Sequence, residues 1–298
     1  MPTLTRQVSR GETGWEETGG KPGLLGYLRT GMMPHLWCPG CGHGIIMGAF
    51  LRAFDRLGWD QDETIIVSGI GCSSRVTGYL DFDTLHTTHG RALAFATGVK
   101  LANPKLNVIV LAGDGDLAAI GGNHLIHAAR RNINITTICF NNNIYGMTSG
   151  QFSPVSPTGS WATTTPYGSI DRPFDLCELV RAAGGTYVAR GTAYHVRSLT
   201  GLIEKALKHK GFSFVEALSQ CPTYFGRRNQ LHNAVDMLLW QKEHAVNVRA
   251  ATRMDPEDLR DKILIGELYR SEAPEYTEEY ARIREQVRQK AREGDLVQ

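Results

Sequence analysis

Residues 107–116 read Asn-Val-Ile-Val-Leu-Ala-Gly-Asp-Gly-Asp, an apolar run that ends in a turn with two glycines. A continuous run of aliphatic residues is typical of a strand that is buried on both faces of a sheet. A stretch with helical periodicity follows at residues 117–131, and a second apolar run at 134–140 leads into a triple asparagine at 141–143. Strand, helix and strand in this order predict a parallel βαβ unit.

The same alternation of apolar runs and helical stretches extends along most of the chain. It favours an α/β fold, with a mostly parallel sheet covered by helices on both faces. The predicted strands are residues 64–68, 107–112, 134–140, 186–189 and 212–218, and the predicted helices are residues 43–57, 91–102, 117–131, 174–183 and 195–209.

Composition narrows the class of protein. The chain has 298 residues, a hydrophobic content of 42% and a net charge of +2. This length and apolar content suffice for a sizeable core. The near-neutral charge gives no electrostatic case for nucleic acid or an anionic membrane as a partner. Because the longest apolar run, residues 108–112, is too short to span a bilayer, we expect a cytoplasmic protein.

Three segments are predicted along the chain. Residues 1–34 are rich in glycine, threonine and charge and lack the apolar stretch of a signal peptide, so we expect an arm that orders on a partner or not at all. Residues 35–228 form the α/β domain. Within it, residues 144–173 carry four prolines, which indicates a functional loop. Residues 229–298 are charged with helical periodicity, which predicts a helical C-terminal extension.

Polar residues follow the predicted strands at one edge of the sheet, where open parallel sheets bind ligands. The glycines of the 113–116 turn let the backbone approach a phosphate, and the following helix start favours an anion. Asp114 offers a carboxylate, and Asn142, twenty-eight residues later, offers an amide oxygen. With a nearby backbone carbonyl, for which we take Ile144, they form an oxygen set for Mg²⁺. This spacing of Gly-Asp-Gly and Asn-Asn is the motif shared by thiamine-diphosphate enzymes.

The cysteines predict a metal centre at the same edge. Cys38 and Cys41 form a Cys-x-x-Cys pair at a predicted helix start, and Cys72 and Cys221 each follow a strand. Four thiolates suit zinc or a 4Fe-4S cluster, and one pair with two distant single cysteines fits the cluster better. A non-catalytic scaffold with a metal site of four cysteines remains an alternative. The two other cysteines are interpreted as buried free thiols, and they are Cys139 and Cys177.

Seven segments, in order along residues 35–228, resemble the β subunit of 2-oxoacid:ferredoxin oxidoreductases. They are Cys-Pro-Gly-Cys-Gly-His-Gly (38–44), Gly-Ile-Gly-Cys-Ser-Ser-Arg (69–75), His-Gly-Arg-Ala (89–92), Gly-Asp-Gly-Asp (113–116), Ile-Gly-Gly-Asn-His (120–124), Asn-Asn-Asn-Ile-Tyr-Gly-Met-Thr (141–148) and Cys-Pro-Thr-Tyr (221–224). The resemblance implies the thiamine-diphosphate-binding (pyrophosphate-domain) fold and a 4Fe-4S cluster rather than zinc.

The resemblance also assigns roles to individual residues. It implies that Cys38, Cys41, Cys72 and Cys221 ligate the cluster. It implies that Asp114, Asn142 and the Ile144 carbonyl hold Mg²⁺. The residues implied to line the thiamine diphosphate, with His89 near the diphosphate as a candidate catalytic residue, are Gly71, Cys72, Ser73, His89, Gly115, Asp116, Asn142, Ile144, Gly146 and Met147.

The segments around residues 145–168 and the C-terminal tail are similar to the 2-oxoglutarate subfamily. Pyruvate enzymes often place a lysine where Ser149 stands, so the serine disfavours pyruvate without excluding it or another 2-oxo acid. A distal carboxylate needs a cation that grips it, and Arg75 is the candidate, with a structural ion pair as the alternative.

The resemblance implies an enzyme that is active only as part of an assembly. The expected reaction is the coenzyme-A-dependent oxidative decarboxylation of 2-oxoglutarate to succinyl-CoA and CO₂, or its reverse, with ferredoxin as the electron partner. The family places the glutamate that activates thiamine diphosphate on an α subunit, and the expected assembly is α2β2.

Two further patterns are interpreted as structural. His124 and His127 have metal-like spacing, but they lie inside the helix that follows the glycine turn. Arg227 and Arg228 could meet the phosphates of coenzyme A, although a solvated basic turn is the favoured interpretation.

Overall fold

The computed structural model describes residues 23–231 and 233–293. A single eight-stranded sheet forms the centre of this part of the chain, and a two-stranded hairpin lies beside it. The strands are β1 Thr64–Ser68, β2 Asp83–His86, β3 Asn107–Gly113, β4 Thr136–Asn141, β5 Ile144–Tyr145, β6 Gln151–Phe152, β7 Tyr187–Thr192, β8 Ser213–Leu218, β9 Ala245–Asn247 and β10 Ile263–Arg270.

The large sheet has the strand order β2-β1-β3-β4-β8-β7-β10-β9. From β2 to β7 all neighbours run parallel, whereas β10 pairs antiparallel with β7 and parallel with β9. Strands β5 and β6 form the separate antiparallel hairpin. The parallel pairing brings the carboxyl ends of β1, β3, β4 and β8 to one edge of the sheet.

Helices cover both faces of the sheet. Along β3, Ile109 and Leu111 pack against α1 and α6 residues, whereas Val108, Val110 and Ala112 pack against α3, α4 and α5. This two-residue alternation explains why the strand is apolar throughout. The helices are α1 His43–Leu57, α2 Val76–Tyr79, α3 Ala92–Ala102, α4 Gly122–Arg130, α5 Leu176–Ala182, α6 Val196–Lys208, α7 Ala234–His244, α8 Val248–Ala251 and α9 Tyr276–Glu293, with π-helical turns at Asp116–Ile120 and Pro222–Gly226.

The structure confirms the predicted α/β fold, and it adds detail to the predicted helix 117–131. That stretch is divided into the π-helical turn and α4 at Gly121. A Cβ atom on Gly121 would lie 2.3 Å from the carbonyl oxygen of Asp116, so only glycine allows this close passage of the backbone.

The tail is less purely helical than the sequence pattern suggests. The segment from residue 229 contributes β9 and β10 to the sheet as well as three helices within residues 233–293. The register of β10 shifts between Glu267 and Tyr269, which disturbs the two-residue periodicity by which a strand is recognised. The division of the chain at residues 34 and 228 remains a prediction.

Part of the predicted arm packs on the chain's own core. Tyr27 is 3% exposed and lies edge-on to Phe54 and stacked on Phe82, and Leu28 forms a β-bridge with Leu80. For residues 23–34, the expectation that the arm orders only on a partner is therefore wrong, because this buried aromatic contact anchors the segment. Residues 1–22 lie outside the described residues. Within the described ranges, no helix combines the length and apolar character needed to cross a membrane.

Candidate functional site

One cavity at the carboxyl edge of the sheet contains every residue predicted to contact the thiamine cofactor. It opens where β1, β3 and β4 end. Its lining includes Gly71, Cys72, Ser73, His89, Asp114, Gly115, Asp116, Asn142, Ile144, Gly146 and Met147. The fold thus brings together residues from four separate segments of the sequence.

Asp114 and Asn142 form the predicted cation site of this cavity. Their side chains are 3% and 6% exposed, and they directly follow the adjacent strands β3 and β4. Burial raises the pKa of Asp114 to about 6. The hydrogen bonds that this carboxylate accepts, from the Ser153 hydroxyl and from backbone N–H groups such as that of Asn142, lower the pKa but do not outweigh burial. A buried carboxylate with a raised pKa gains from a bound cation, which would stabilise its charged form. The donor set, a carboxylate and an amide oxygen, fits Mg²⁺.

Asp116 joins three of the loops that form the cavity. Its Oδ1 accepts a 2.7 Å hydrogen bond from the N–H of Gly90 and a longer one, 3.3 Å, from the N–H of Ile70. The same oxygen lies 2.5 Å from His89 Nδ1, so His89 is held by a carboxylate rather than by backbone. Its buried Oδ2 has no partner among the described residues. An unsatisfied carboxylate oxygen beside the cavity fits a site that a cofactor completes.

The four predicted cluster cysteines converge on one side of this cavity. Cys38 and Cys41 precede α1, Cys72 follows β1 and Cys221 follows β8, and all four are free thiols. Burial raises the pKa of Cys41 to about 12, and the thiols of Cys221, Cys72 and Cys38 contribute in the same direction. Burial, Cys221 and Cys38 likewise raise the pKa of Cys72 to about 11. Such mutual effects require the sulfur atoms to lie near one another, which fits a site for four thiolates.

Gly146 connects the cysteine cluster with the cation site. A Cβ atom at this position would lie 3.6 Å from Cys72 Sγ, 3.7 Å from Cys221 Sγ and 3.9 Å from Asn142 Nδ2. The two predicted centres are therefore neighbours across one glycine. A larger side chain here would enter the space between them.

Several residues of the cavity were not predicted from the sequence, among them His43 and Tyr145. His43 is fully buried, and burial lowers its pKa to about 4, so the imidazole is neutral near neutral pH. Its Nδ1 lies 3.0 Å from the hydroxyl of Ser219. Tyr145 covers the glycine turn and donates a 3.1 Å hydrogen bond to the carbonyl oxygen of Gly115. Both belong to segments quoted for the resemblance, but their side-chain directions are not visible in sequence.

The residues that were interpreted as structural have the burial or exposure that this interpretation expects. Cys139 is completely buried in β4, and Cys177 is 1% exposed in α5. His127 Nδ1 accepts a hydrogen bond from Arg130 on the outer face of α4. Arg227 and Arg228 are both exposed.

Arg75 and Ser149, on which the substrate prediction rests, are not among the residues that line the cavity. Arg75 is exposed and takes part in no ion pair among the described residues, which disfavours its structural interpretation. It lies near enough to Cys72 to lower the pKa of that thiol against the stronger effect of burial. Ser149 adopts a left-handed conformation, φ +86°, in the turn between β5 and β6.

Comparison with known proteins identifies the family to which the chain is similar. Residues 69–217 match the family described as thiamine pyrophosphate enzyme, C-terminal TPP binding domain. The chain is 55% identical to 2-oxoglutarate synthase subunit KorB of Methanothermobacter marburgensis over 92% of its length and 95% of the relative. It is 53% identical to the subunit of that name from Methanocaldococcus jannaschii, over 89% and 98%.

A solved structure is similar in fold as well as in sequence. It is the 2-oxoglutarate:ferredoxin oxidoreductase from Magnetococcus marinus with 2-oxoglutarate, coenzyme A and succinyl-CoA bound. The TM-score is 0.80 and the identity 38%, over 90% of this chain and 91% of the other.

Proposed function

Because the chain belongs to the family of 2-oxoacid:ferredoxin oxidoreductase β subunits that includes 2-oxoglutarate synthase subunit KorB, we propose that it is the cofactor-binding subunit of a 2-oxoglutarate:ferredoxin oxidoreductase. The reaction is the oxidative decarboxylation of 2-oxoglutarate with coenzyme A to succinyl-CoA and CO₂, or its reverse. The observation that carries the proposal is the position of Gly146, where an added Cβ atom would lie within 4 Å of two cluster thiols and of the Asn142 side chain.

In this proposal, the cavity binds thiamine diphosphate and Mg²⁺. Asp114, Asn142 and the carbonyl of Ile144 hold the cation, and the backbone at Gly115 approaches the diphosphate. Thiamine diphosphate supplies the carbon nucleophile for 2-oxo acids when bound. The chain's own task is to orient it: Asp116 fixes the loops at Ile70 and Gly90 around the cavity and pairs with His89.

The four thiolates of Cys38, Cys41, Cys72 and Cys221 bind one 4Fe-4S cluster. The cluster takes up single electrons when bound. Two features of the chain tune this site. The indole N–H of Trp37 donates a 2.6 Å hydrogen bond to the Cys72 carbonyl, and the neutral imidazole of His43, two residues after Cys41, lines the cavity. Hydrogen bonding and burial of this kind set the potential of a cluster.

Arg75 binds the distal carboxylate of 2-oxoglutarate in the proposal. Its exposure beside Cys72, without an ion-pair partner among the described residues, leaves the guanidinium available for a carboxylate. Pyruvate has no distal carboxylate, so this role distinguishes the two acids. The serine at position 149 supports the same choice.

The proposed enzyme acts in a cytoplasmic α2β2 assembly with ferredoxin as electron partner. No glutamate occurs among the described residues that line the cavity. An α subunit that contributes the activating glutamate would complete the site.

Metal and thiamine analysis of the anaerobically purified αβ complex tests the proposal. We expect iron and sulfide for one cluster on this chain, bound thiamine diphosphate, and ferredoxin reduction that requires 2-oxoglutarate and coenzyme A. Zinc without thiamine would instead indicate the non-catalytic four-cysteine scaffold. Equal or faster turnover of pyruvate or a branched-chain 2-oxo acid would contradict the substrate.

A further inference from the structure

A second cavity lies behind the loop that carries Asn142. Its lining includes Asn142 and Asn143 of this loop together with Arg190 and Glu216. Asn142 also lines the proposed cofactor cavity, so this loop separates the two cavities. A loop with a cavity behind it has fewer packing contacts on that side, so hydrogen bonds contribute more to its position.

Glu216 provides such a hydrogen bond. It lies in the middle of β8 and is 3% exposed. Its Oε1 accepts a 2.7 Å hydrogen bond from the side-chain amide of Asn141, the last residue of β4. The Oδ1 of Asn141 in turn accepts from the N–H of Asn143 at 2.9 Å. Both polar ends of the Asn141 amide are thus occupied, and together they hold the loop on either side of Asn142.

The conformation of the loop needs this support. Asn143 has φ +60°, in the left-handed region that residues other than glycine rarely occupy. Its carbonyl oxygen accepts a 2.6 Å hydrogen bond from the hydroxyl of Ser156. Asn143 is therefore held through its N–H by Asn141 and through its carbonyl by Ser156.

Glu216 is itself fixed by ionic contacts. Its Oε2 lies 2.5 Å from Arg190 Nε, on the neighbouring position of β7. Arg190 Nη2 lies 2.6 Å from Asp175 Oδ1, and Asp175 caps the N-terminus of α5. Burying this ion pair in the sheet is costly, and an apolar pair would fill the space with less cost. A purely packing role does not account for its presence.

We propose that Glu216, anchored by Arg190, is a positioning residue that holds Asn142 in its cation-binding place through Asn141. This inference rests on the proposed function, because it assigns Asn142 to the bound Mg²⁺. Glu216 contacts neither the cavity that receives the cofactor nor Asn142 directly. It acts by restricting the loop before the cation arrives.

Two variants and a matched control test the role of Glu216. In Glu216→Gln the side chain keeps one acceptor oxygen, which can serve Arg190 or Asn141 but not both. Asn141→Ser leaves the Glu216–Arg190 pair intact and removes the Asn141 amide, with its hydrogen bond to Glu216 and the one it accepts from the N–H of Asn143, so it tests the link to the loop even where Glu216→Gln fails to fold. The control is Glu267→Gln, in which a glutamate of the same sheet loses its ion pair with Lys205.

Each variant is compared with the wild type in the αβ complex by Mg²⁺ titration at saturating thiamine diphosphate. We expect Mg²⁺ binding to weaken by about 10-fold in Glu216→Gln and in Asn141→Ser, the usual effect of losing a partner of a metal ligand. The double variant should bind like the single ones, because both changes break one chain of contacts. Glu267→Gln should bind like the wild type.

Amide exchange of residues 141–146 in the metal-free complex provides a second measurement. We expect faster exchange in both variants and not in the control. Unchanged Mg²⁺ affinity and unchanged exchange, with only a lower melting temperature, would overturn the inference. If the wild type binds neither Mg²⁺ nor thiamine diphosphate, the proposed function fails, and the exchange measurement still decides whether Glu216 positions the loop.

Discussion

The hydroxyl of Ser153 donates a 2.6 Å hydrogen bond to Oδ2 of Asp114 and thereby fastens the 144–173 loop to the end of β3. Both side chains are almost completely buried. The contact joins a segment without long strands or helices to the proposed Mg²⁺ ligand. A loop of this length is thus part of the site rather than a cover over it.

Ser153→Ala should weaken Mg²⁺ binding by about 10-fold, because the carboxylate loses the donor that orients it. The measurement is a Mg²⁺ titration in the presence of thiamine diphosphate. Ser213→Ala is the control, since it removes a buried hydroxyl that hydrogen-bonds to the Ala206 carbonyl elsewhere in the sheet. Equal affinities in the two variants would remove Ser153 from the site.

Serine in place of any of the four clustered cysteines should abolish most of the iron content, because a hydroxyl is a poor substitute for a thiolate at iron. Iron and sulfide analysis and the visible absorption of the anaerobic protein measure this. Cys139→Ala is the matched control, since its thiol is buried in the core. Loss of iron in the control, or full iron content in Cys221→Ser, would contradict the assignment.

Gly42→Ala should distort the cysteine cluster. A Cβ atom there would lie 2.4 Å from Gln220 Oε1 and 3.0 Å from the backbone nitrogen of Gln220. The overlap should push apart the segments that carry Cys41 and Cys221, cost about 1–3 kcal/mol of folding free energy and lower the iron content.

Denaturant unfolding and iron analysis measure the effect of Gly42→Ala. Gly201→Ala, in α6 and with nothing within 4 Å of the added atom, is the control. It should leave iron unchanged and stabilise the chain by about 0.5–1 kcal/mol. If Gly42→Ala retains both stability and iron, the close contact at Gln220 has no consequence.

Arg75→Ala should raise the KM for 2-oxoglutarate by about 10-fold or more, because a charge-assisted hydrogen bond to the distal carboxylate is lost. Where the enzyme turns over pyruvate, the KM for pyruvate should be unchanged in this variant. Steady-state assays with both acids measure the difference, and Arg52→Ala on the exposed side of α1 is the control. An equal rise in KM for both acids would show that Arg75 contributes to substrate binding in general and not to the selectivity for 2-oxoglutarate.

Stability should decline in acid partly through His209. This side chain is 8% exposed, with its Nε2 2.7 Å from the Thr186 hydroxyl. Burial and then the charge of Arg270 lower its pKa below the ordinary value of 6.5. The unfolded chain therefore binds a proton more readily, so the contribution to stability is present above 6.5 and is lost as the pH falls towards the folded-state pKa.

In His209→Gln, the free energy of unfolding should depend less on pH than in the wild type between about pH 7 and about pH 5. Denaturant unfolding at several pH values measures this slope. His127→Gln, which replaces an exposed histidine, is the control. A slope that is unchanged in His209→Gln would assign the acid sensitivity to other groups.

The sequence alone predicted five strands of the domain, which correspond to β1, β3, β4, β7 and β8, and the candidate ligands that follow them, but it did not predict β2, β5 or β6. Periodicity shows the side of a strand or helix that is buried, and the spacing between Asp114 and Asn142 is set by one βα unit. Patterns of this kind depend only on residues that are close to one another in the sequence. They therefore predicted Asp114, Asn142 and the four cysteines as candidate ligands, whereas the other residues that line the cavity were assigned by resemblance to the family.

Only the tertiary structure decided how these residues contact one another. The role of Glu216 depends on register between β4, β8 and β7, and the bond from Ser153 to Asp114 spans thirty-nine residues of chain. The antiparallel pairing of β10 likewise depends on the tertiary structure, because β10 pairs with the side of β7 that faces away from β8. Contacts between distant segments follow from packing of the whole chain, and local sequence patterns do not encode them.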